Sequence, residues 1–566
     1  MRIRPRLRAG LLILMRPLLG RARVKIREQQ LSLASSFSAQ LISSTGEIPD
    51  ITSIPEGNNG AQQYSKCLLG AISRYSILEE LPSSRKYFEE PLPGVGVNLL
   101  AASRWLGEGS LQLRYPLPFR AKALQKWWQA QQASATGAEG DNLNTPHDKR
   151  IARETKVGFA ERPFGVNLIG HAFNVFGIGE DSRAIADALR AAAIPFCVID
   201  HPARNGSATS DRRLEDLTLP PGESGPYAFN LVCMSAPVHA RWFCEHGLNQ
   251  QTDRYTIVSW PWEMEKWPAK WEPILQLADE AWPFSSIIKK ALLPYLQTNL
   301  GERSLSLTPM PPPAEIENPD RYTDPKARRE ARQRFGLPKD KVLFVFGFDL
   351  NSTMSRKNPM AVLEAFRRAF PTNDLISEKV GLVIKTLIPA WPNQAWNELK
   401  ALTRQDRRLH VIEASLDRTE ILALYGCCDG FVSLHRSEGL GRGHAEALQL
   451  GLDVIVTDYS STTDFCTGPL AHPVRYQLIP VQEGEYFDHE GQVWADADVD
   501  HAAERLREVA LHRLEQPEPD QGLAASYRQH FASANVGRHY RERLEELWAK
   551  RQSLAAALKA NRYASS

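Results

Sequence analysis

The sequence predicts an α/β fold with two parallel, doubly wound domains. Apolar strand candidates alternate with helix candidates before and after a proline-rich break at residues 308–313, and strand–helix–strand runs at this spacing form parallel sheets. The chain has 566 residues, whereas a single core stops growing at about 250–300 residues. We therefore expect an N-terminal extension over 1–160, a first domain over 161–313, a second domain over 314–500 and terminal helices over 501–566.

The first domain is predicted from short apolar runs that are separated by helix-forming segments. The expected strands are 166–169, 195–199, 229–234 and 255–259. Helices are expected at 180–192, 268–278 and 285–293, the last of them ended by Pro294, because proline cannot continue a helix. The run Thr308–Pro313 breaks regular structure and marks the domain junction.

The same alternation resumes after the junction. Strands are expected at 342–346, 380–385, 409–412, 430–434 and 453–457, and a helix at 328–335. Asn358 is expected to cap a helix that begins at Pro359. Asp417 and Glu420 have the spacing of a capping box, which predicts a helix from there to Tyr425. The chain from about Asp498 onward is predicted to be helical.

Composition excludes several classes of protein. The net charge is +2, so no global field favours nucleic acid. Seven scattered cysteines are typical of a reducing compartment, and the adjacent pair Cys427-Cys428 lacks the spacing of a metal knuckle. No run of about 18 apolar residues is present, so no membrane span is predicted.

Residues 1–27 depart from this charge balance, with nine basic residues and no acidic residue. Leu11 to Met15 is too short for the apolar region of a secretory signal, which needs about 7–15 residues. Two interpretations stay open for the segment: a helix on an anionic membrane face, or a solvated tail. Residues 28–160 receive no function.

The most informative stretch lies between the strand at 430–434 and the strand at 453–457. Glu438 stands at the exit of the first strand and Glu446 about one turn into the following helix, with seven residues between them. The glycines Gly439, Gly441 and Gly443 let the backbone approach a ligand closely, and a helix start offers free N–H groups to an anion. This arrangement is typical of a nucleotide-sugar site.

Two glutamates in E-x7-E spacing on a strand–loop–helix resemble the donor site of retaining glycosyltransferases with the two-Rossmann architecture called GT-B, above all glycosyltransferase family 4. The resemblance runs from Val166 to the C-terminal helices and is greatest to bacterial enzymes that build surface polysaccharides such as lipopolysaccharide. It implies transfer of a hexosyl group, with retention, from a nucleoside diphosphate sugar to a glycan or lipid-linked acceptor. It also implies a cytoplasmic protein and final helices that pack back onto the first domain. Attachment to the inner membrane face follows only from the membrane interpretation of residues 1–27.

The resemblance also assigns roles to residues. Glu438 is expected to contact hydroxyls of the donor sugar and Glu446 the ribose, while Gly439, Gly441 and Gly443 present backbone to the sugar or diphosphate. Catalysis is expected to need no metal, since cations of the protein stabilise the leaving diphosphate. The triplet His444-Ala445-Glu446 also matches the H-x-E of zinc deaminases, but no P-C-x-x-C follows it, which excludes that class.

Three cations are candidates for the diphosphate contact. Arg356 and Lys357 follow the first strand of the second domain, and Lys385 ends the next strand, so all three fall on the edge where α/β proteins bind ligands. The family usually has an arginine early in the first of these loops. Phe348-Asp349-Leu350 stands there instead, so the choice between Arg356 and Lys357 stays open.

In the first domain, Gly177, Gly179 and Glu180 open a helix that the resemblance places across the cleft from the diphosphate. The same glycines, with Asp200 about twenty residues on, fit a dinucleotide fingerprint, so a nicotinamide oxidoreductase is an alternative. Seven residues separate the preceding strand from Gly177, which disfavours it. A silent sugar-nucleotide-binding scaffold is the other alternative.

Trp262 and Glu263 follow a strand and resemble the family's W-x-W-E segment on the acceptor side of the cleft. Tryptophans that anchor the sheet edge are the alternative interpretation. Asp496-Ala497-Asp498 has the letters of a metal-binding D-x-D, but it precedes a predicted helix and is interpreted as an N-terminal cap.

Overall fold

The computed structural model describes residues 162–564, apart from short internal gaps, and parts of 96–136. The internal gaps are 204–207, 240–241, 243–253, 269–270, 272–273, 276, 297–304, 351–352 and 388–392. The basic segment 1–27 lies outside the described residues. Its membrane interpretation therefore stays a prediction.

The first sheet has six parallel strands in the order β2-β1-β3-β4-β5-β6. The strands are β1 Val166–Gly170, β2 Phe196–Asp200, β3 Phe229–Cys233, β4 Tyr255–Val258, β5 Glu280–Ala281 and β6 Ser306–Leu307. β1, β3 and β4 are buried along their whole length, as expected for parallel strands that are covered on both faces. The helices up to the end of this sheet are α1 Ala121–Thr136, α2 Gly177–Ala191 and α3 Ser286–Leu292.

The second sheet also has six parallel strands, in the order β12-β11-β10-β7-β8-β9. The strands are β7 Val342–Phe348, β8 Val380–Thr386, β9 Leu409–Glu413, β10 Gly430–Ser433, β11 Asp453–Thr457 and β12 Ala471–Val474. Two separate apolar clusters contain side chains of this sheet, since alternate residues of each strand point to opposite faces. The direction of the strand order reverses between β1 and β3 in the first sheet and between β7 and β10 in the second. Both sheets are therefore doubly wound.

The second domain and the C-terminal region contain ten further helices within the described residues. They are α4 Asp320–Thr323, α5 Pro325–Arg334, α6 Met354–Lys357, α7 Pro359–Ala369, α8 Gln394–Thr403, α9 Arg418–Gly426, α10 Arg442–Gln449, α11 Val499–Glu515, α12 Gln521–Phe531 and α13 Ser533–Ala564. An antiparallel hairpin, β13 Tyr476–Pro480 and β14 Val493–Ala497, precedes α11.

The predicted fold class is confirmed: two parallel α/β sheets form two doubly wound domains. Every strand predicted from the sequence is present, with ends shifted by a few residues. The capping box of Asp417 and Glu420 forms as predicted, and Asp498 caps α11 by accepting from the His501 backbone. The sequence analysis missed β5, β6, β12 and the hairpin, because runs of two to five residues carry little periodicity.

Two local predictions were wrong. The described residues of 268–278 form only short 3₁₀ turns instead of an α-helix. The sequence places prolines at 268 and 273, and proline has no N–H for a helical hydrogen bond. Asn358 precedes α7 but makes no capping bond with its side chain. It adopts a left-handed conformation with φ 51°, because it also ends α6.

The last helix joins the C-terminus to the first domain. α13 packs on α2, and Gly537 comes so close that a Cβ atom would lie 2.2 Å from the carbonyl oxygen of Ala188. Arg543 of α13 donates to both carboxylate oxygens of Glu280, at 3.0 and 2.8 Å. Glu280 is fully buried and also accepts from the Trp282 indole at 2.8 Å.

Replacing Arg543 with Met should lower the free energy of unfolding by about 3 kcal/mol, because the buried Glu280 loses its counter-ion. Chemical denaturation would measure the change. Arg538→Met is the matched control on the same helix, since Arg538 and its partner Glu542 are more than half exposed and such pairs contribute little. Equal stability of the two variants would contradict the assigned role of the Glu280 pair.

The hairpin links the two domains. Its side chains Tyr486 and Trp494 belong to the same apolar cluster as β1, β3 and β4 of the first domain, although the hairpin follows the second sheet in sequence. The two domains therefore share one core on this side of the cleft. Among the described residues, no helix combines the length and the hydropathy needed to cross a bilayer.

Candidate active site

The glycine-rich loop connects β10 to α10 and touches the first domain. Gly441 precedes α10 with φ +82°, a left-handed conformation that favours glycine. Gly439 lies against the other domain, and a Cβ atom there would be 2.7 Å from the carbonyl oxygen of Trp262. Gly443 packs on the Phe431 ring in the first turn of α10. Glycine is thus needed at 441 for conformation and at 439 for close approach.

Glu438 lies at the centre of a buried cluster of charges. Its carboxylate accepts from Arg356 at 3.1 Å and from Lys357 at 2.5 Å. The short helix α6 places both cations there, and Arg356 also donates to the Ser437 carbonyl oxygen at 2.7 Å. Burial raises the pKa of Glu438, but Lys357 and Arg356 outweigh burial and hold the pKa well below its usual range. Glu438 is therefore a carboxylate at any physiological pH.

Glu263, which was predicted to lie on the acceptor side, completes this cluster across the domain boundary. One oxygen of its carboxylate lies 3.8 Å from Arg356, and the other accepts from the Tyr486 hydroxyl at 2.5 Å. The Ser437 hydroxyl donates to the Glu263 carbonyl oxygen. The structure thus brings Glu263 of the first domain and Glu438 of the second domain to the same arginine.

Glu446 lies in α10 and has a different arginine as its partner. Arg418, the first residue of α9, donates to Glu446 at 2.5 Å and reaches Glu180 of the first domain at 3.4 Å. Glu446 and Glu180, predicted for opposite sides of the cleft, therefore share one guanidinium. Arg442 of the glycine loop forms a second pair across the boundary with Asp181.

The start of α2 is acidic. Burial raises the pKa of Glu180, but Arg418 and Arg442, with two further arginines, lower it to about 2. Gly177 has open space around its Cα, whereas a Cβ at Gly179 would lie 2.2 Å from the Asn174 carbonyl oxygen. Glu180 in the first turn offsets the positive end of the helix, and Asp181 follows it, so this helix start binds arginines of the second domain.

Two other predicted residues, Lys385 of the second domain and Trp262 of the first, are buried in different surroundings. Lys385 is paired in register with Gly347 of β7 and is 7% exposed. Burial lowers the pKa of Lys385, and Asp349 partly opposes this effect. Trp262 is 1% exposed and packs edge-on against Trp271, with ring centroids 4.9 Å apart. Its ring therefore faces other aromatic side chains rather than the cleft.

Two histidines near Glu438 are kept neutral. His435 and His444 lie with ring centroids 5.1 Å apart. Burial is the main cause that lowers the pKa of His435 to about 4 and that of His444 to about 3. Neither ring nitrogen of His444 has a hydrogen-bond partner among the described residues. Neutral imidazoles add no charge to the cluster of Glu438, Arg356 and Lys357.

The sequence analysis missed several residues of this region. Arg442 lies between the two glutamates of the E-x7-E motif, and Arg418 lies in the capping box. Both arginines were therefore part of recognised motifs, but the sequence did not indicate their ion-pair partners. Tyr486 lies in no sequence motif that would have indicated a place in the site.

A cavity of about 660 Å³ lies beside the arginine pairs. It is bordered by α2, by α9 and by the segment that connects the two domains.

The sequence also raised two other kinds of site, a dinucleotide-binding site at the start of α2 and a metal site. Six residues, 171–176, separate β1 from α2, one fewer than expected because Gly170 belongs to β1. Burial raises the pKa of Asp200, whose carboxylate accepts from the Phe173 backbone at 3.4 Å. The described residues contain no group of three or more His, Cys, Asp or Glu side chains arranged to hold a metal ion.

Comparisons with known proteins gave matches among solved structures only. No family model matches the chain, and no curated protein sequence matches it. The solved structures include HepE from Anabaena in complex with UDP and glucose, at 12% identity and a TM-score of 0.47, covering 68% of this chain and 100% of that one.

Two other solved structures are similar to the same extent. A glycosyltransferase from Rickettsia africae has 13% identity and a TM-score of 0.47, covering 69% of this chain and 98% of that one. A trehalose 6-phosphate synthase from Burkholderia multivorans has 11% identity and a TM-score of 0.45, covering 68% and 99%. Likeness at this level says nothing of a substrate, so the function has to be argued from the residues of the site.

Proposed function

We propose that the protein is a retaining glycosyltransferase that moves a hexosyl group from a nucleoside diphosphate sugar to a glycan or lipid-linked acceptor. The observation that carries the proposal is the buried carboxylate of Glu438 between Arg356 and Lys357, at the C-terminal edge of a parallel sheet and beside a glycine-rich helix start. An ionised acid, two cations and free amides together suit a ligand with both hydroxyls and phosphates.

Each part of the ligand has a matching group. Glu438 accepts hydroxyls of the hexose, and Arg356 and Lys357 receive the diphosphate. Backbone amides at the start of α10 add to this contact, since helix starts favour anions. Lys385 supplies a further cation at the same edge. Glu446 takes the ribose hydroxyls, with Arg418 fixing the orientation of its carboxylate.

In the reaction, the bond between the anomeric carbon and the diphosphate oxygen breaks, and a bond to the acceptor oxygen forms. Negative charge grows on the leaving diphosphate as its bond breaks, and the acceptor hydroxyl gives its proton to the released diphosphate oxygen. Arg356 and Lys357 are already in place for that charge, and fixed groups stabilise a transition state without the cost of reorganisation. We also propose that catalysis needs no essential metal. The protein is proposed to be cytoplasmic and to attach to the membrane through residues 1–27.

The first test is detection of free nucleoside diphosphate by mass spectrometry. Purified full-length protein would be incubated with a panel of sugar nucleotides, chelator, and lipid or glycan extracts as acceptor. Release from one donor would establish the transferase class and name the sugar. No release from any donor, together with a thermal shift by a nicotinamide dinucleotide, would favour the oxidoreductase. Binding of a sugar nucleotide without turnover would favour the silent scaffold.

Replacing Glu446 with Gln should weaken donor binding by about 10- to 100-fold, because a hydrogen bond to a charged group contributes about 1.5–3 kcal/mol. Calorimetric titration with the donor found in the panel would measure this. Glu504→Gln, at an exposed position on α11, is the control and should bind as wild type does. Donor affinity near wild type in Glu446→Gln would remove Glu446 from the site.

A further inference from the structure

The loop of the β13–β14 hairpin, residues 481–492, is held against the acceptor-side segment of the first domain. Lys266 donates to the Gly491 carbonyl oxygen at 2.8 Å, and Gln492 donates to the Lys266 carbonyl oxygen at 2.8 Å. Tyr486 donates to Glu263, as described above. The loop is thus fixed at several points along its length, one of them a carboxylate of the candidate site.

Phe487 is the exposed end of an aromatic cluster in this loop. Its ring is stacked on Tyr486, with centroids 4.2 Å apart, and lies edge-on to Trp262 at 5.7 Å. Trp271 lies nearly parallel to it at 6.2 Å. Tyr486, Trp262 and Trp271 are buried, but Phe487 is 44% exposed. The cluster therefore holds one ring rigidly at the surface.

The surroundings of this ring restrict what it can bind. Residues 481–492 include Glu483, Glu485, Asp488 and Glu490 and no lysine or arginine. Two cations contact the loop from outside: Arg436 pairs with Glu485 at 3.7 Å, and Lys266 donates to the Gly491 carbonyl oxygen. The four acids outnumber these cations, so the loop disfavours phosphate groups and an anionic lipid surface. Carboxylates do accept hydrogen bonds from hydroxyls, and the negative face of an aromatic ring attracts the C–H face of a sugar.

The ring is also continuous with the candidate site. Phe487 stacks on Tyr486, the Tyr486 hydroxyl donates to Glu263, and Glu263 faces Arg356, which holds Glu438. Only the buried Tyr486 separates Phe487 from Glu263 in this chain of contacts. An acceptor of more than one sugar unit that meets the donor hexose at Glu263 can therefore reach past Tyr486 to Phe487.

We propose that residues 481–492 form a subsite for an uncharged sugar unit of a glycan acceptor, with Phe487 stacking on the ring of that sugar. The inference rests on the proposed function and adds the chemical class of the acceptor at this position: a neutral sugar ring rather than a phosphate or a lipid headgroup.

The test is binding of full-length protein to an array of neutral gluco-, manno- and galacto-oligosaccharides. Phe487→Ala should bind at least about tenfold more weakly than wild type, as expected for the loss of an aromatic anchor. Phe487→Trp should retain binding. Phe487→Leu keeps the apolar bulk without the aromatic face, so it should bind as weakly as Phe487→Ala, a result that a merely structural role would not give. Leu478→Ala, at another exposed apolar residue of the hairpin, is the control and should bind as wild type does.

Two outcomes would overturn the subsite: wild-type protein that binds none of these oligosaccharides, or Phe487→Ala and Phe487→Leu that bind as wild type does. The donor panel on the wild-type protein tests the proposed function separately. Nucleoside diphosphate release without any effect at Phe487 would keep the transferase and reject the subsite, whereas absent release would reject the transferase itself.

Discussion

Replacing Glu438 with Gln should lower the rate of hexosyl transfer by about 100-fold or more and destabilise the second domain. The amide keeps the shape of the side chain but removes the charge. The hydrogen bonds that a carboxylate accepts from sugar hydroxyls contribute about 1.5–3 kcal/mol each. The change also leaves Arg356 and Lys357 without their shared counter-ion, and removal of one partner from such a buried group costs about 3–5 kcal/mol.

Steady-state kinetics with the donor from the panel and urea denaturation would measure the two effects. Glu378→Gln is the matched control in the same domain, because Glu378 forms its ion pair with Arg407 at the surface, where both side chains are more than 60% exposed. That variant should keep full activity and stability. Wild-type turnover in Glu438→Gln would show that the cluster is structural and that the donor sugar binds elsewhere.

The folded protein should lose stability steeply as the pH falls from 6.5 toward 4. Burial lowers the pKa of His239 to about 3, of His435 to about 4 and of His444 to about 3. In the unfolded chain these groups titrate near about 6.5. Below that pH the unfolded state binds three protons that the folded state does not, so acid favours unfolding. Each proton contributes about 1.36 kcal/mol per pH unit, which gives about 4 kcal/mol per unit in total.

The measurement is the urea midpoint at a series of pH values from 7 to 5, before the carboxylates titrate. His444→Gln should be less sensitive to pH by about one third, since one of the three groups is gone. An unchanged midpoint between pH 7 and pH 5 would mean that the buried histidines accept protons in the folded state, which contradicts the lowering of their pKa by burial.

The arginine pairs suggest why the two domains have to meet for a complete site. Arg418 contacts Glu446 of its own domain and Glu180 of the other, and Arg442 leaves the glycine loop to pair with Asp181. Both arginines lie beside residues that we assign to donor binding. The first domain thus supplies counter-charges to arginines of the second domain.

The sequence by itself determined the fold class and the local geometry of the motif. Strand–helix alternation sets which face of each element is apolar, so two parallel sheets followed from it. Asp417 and Glu420 form their capping box within four residues, and Gly441 takes its left-handed conformation next to the helix that it precedes. These features depend on neighbours in the chain, which a sequence displays directly.

Only the tertiary structure decided which charges meet. Arg442 pairs with Asp181, from which it is separated by 261 positions in the sequence, and Tyr486 bonds to Glu263 over a separation of 223. Both Arg356 and Lys357 donate to Glu438. Trp262 points into an aromatic cluster because Trp271 and the hairpin close over it. The pairs Arg442–Asp181 and Tyr486–Glu263, and the contact of Trp262 with the hairpin, depend on how the two domains dock, and the others depend on packing within one domain. In both cases the partners are fixed by the packing of whole surfaces rather than by the conformational preference of any short segment.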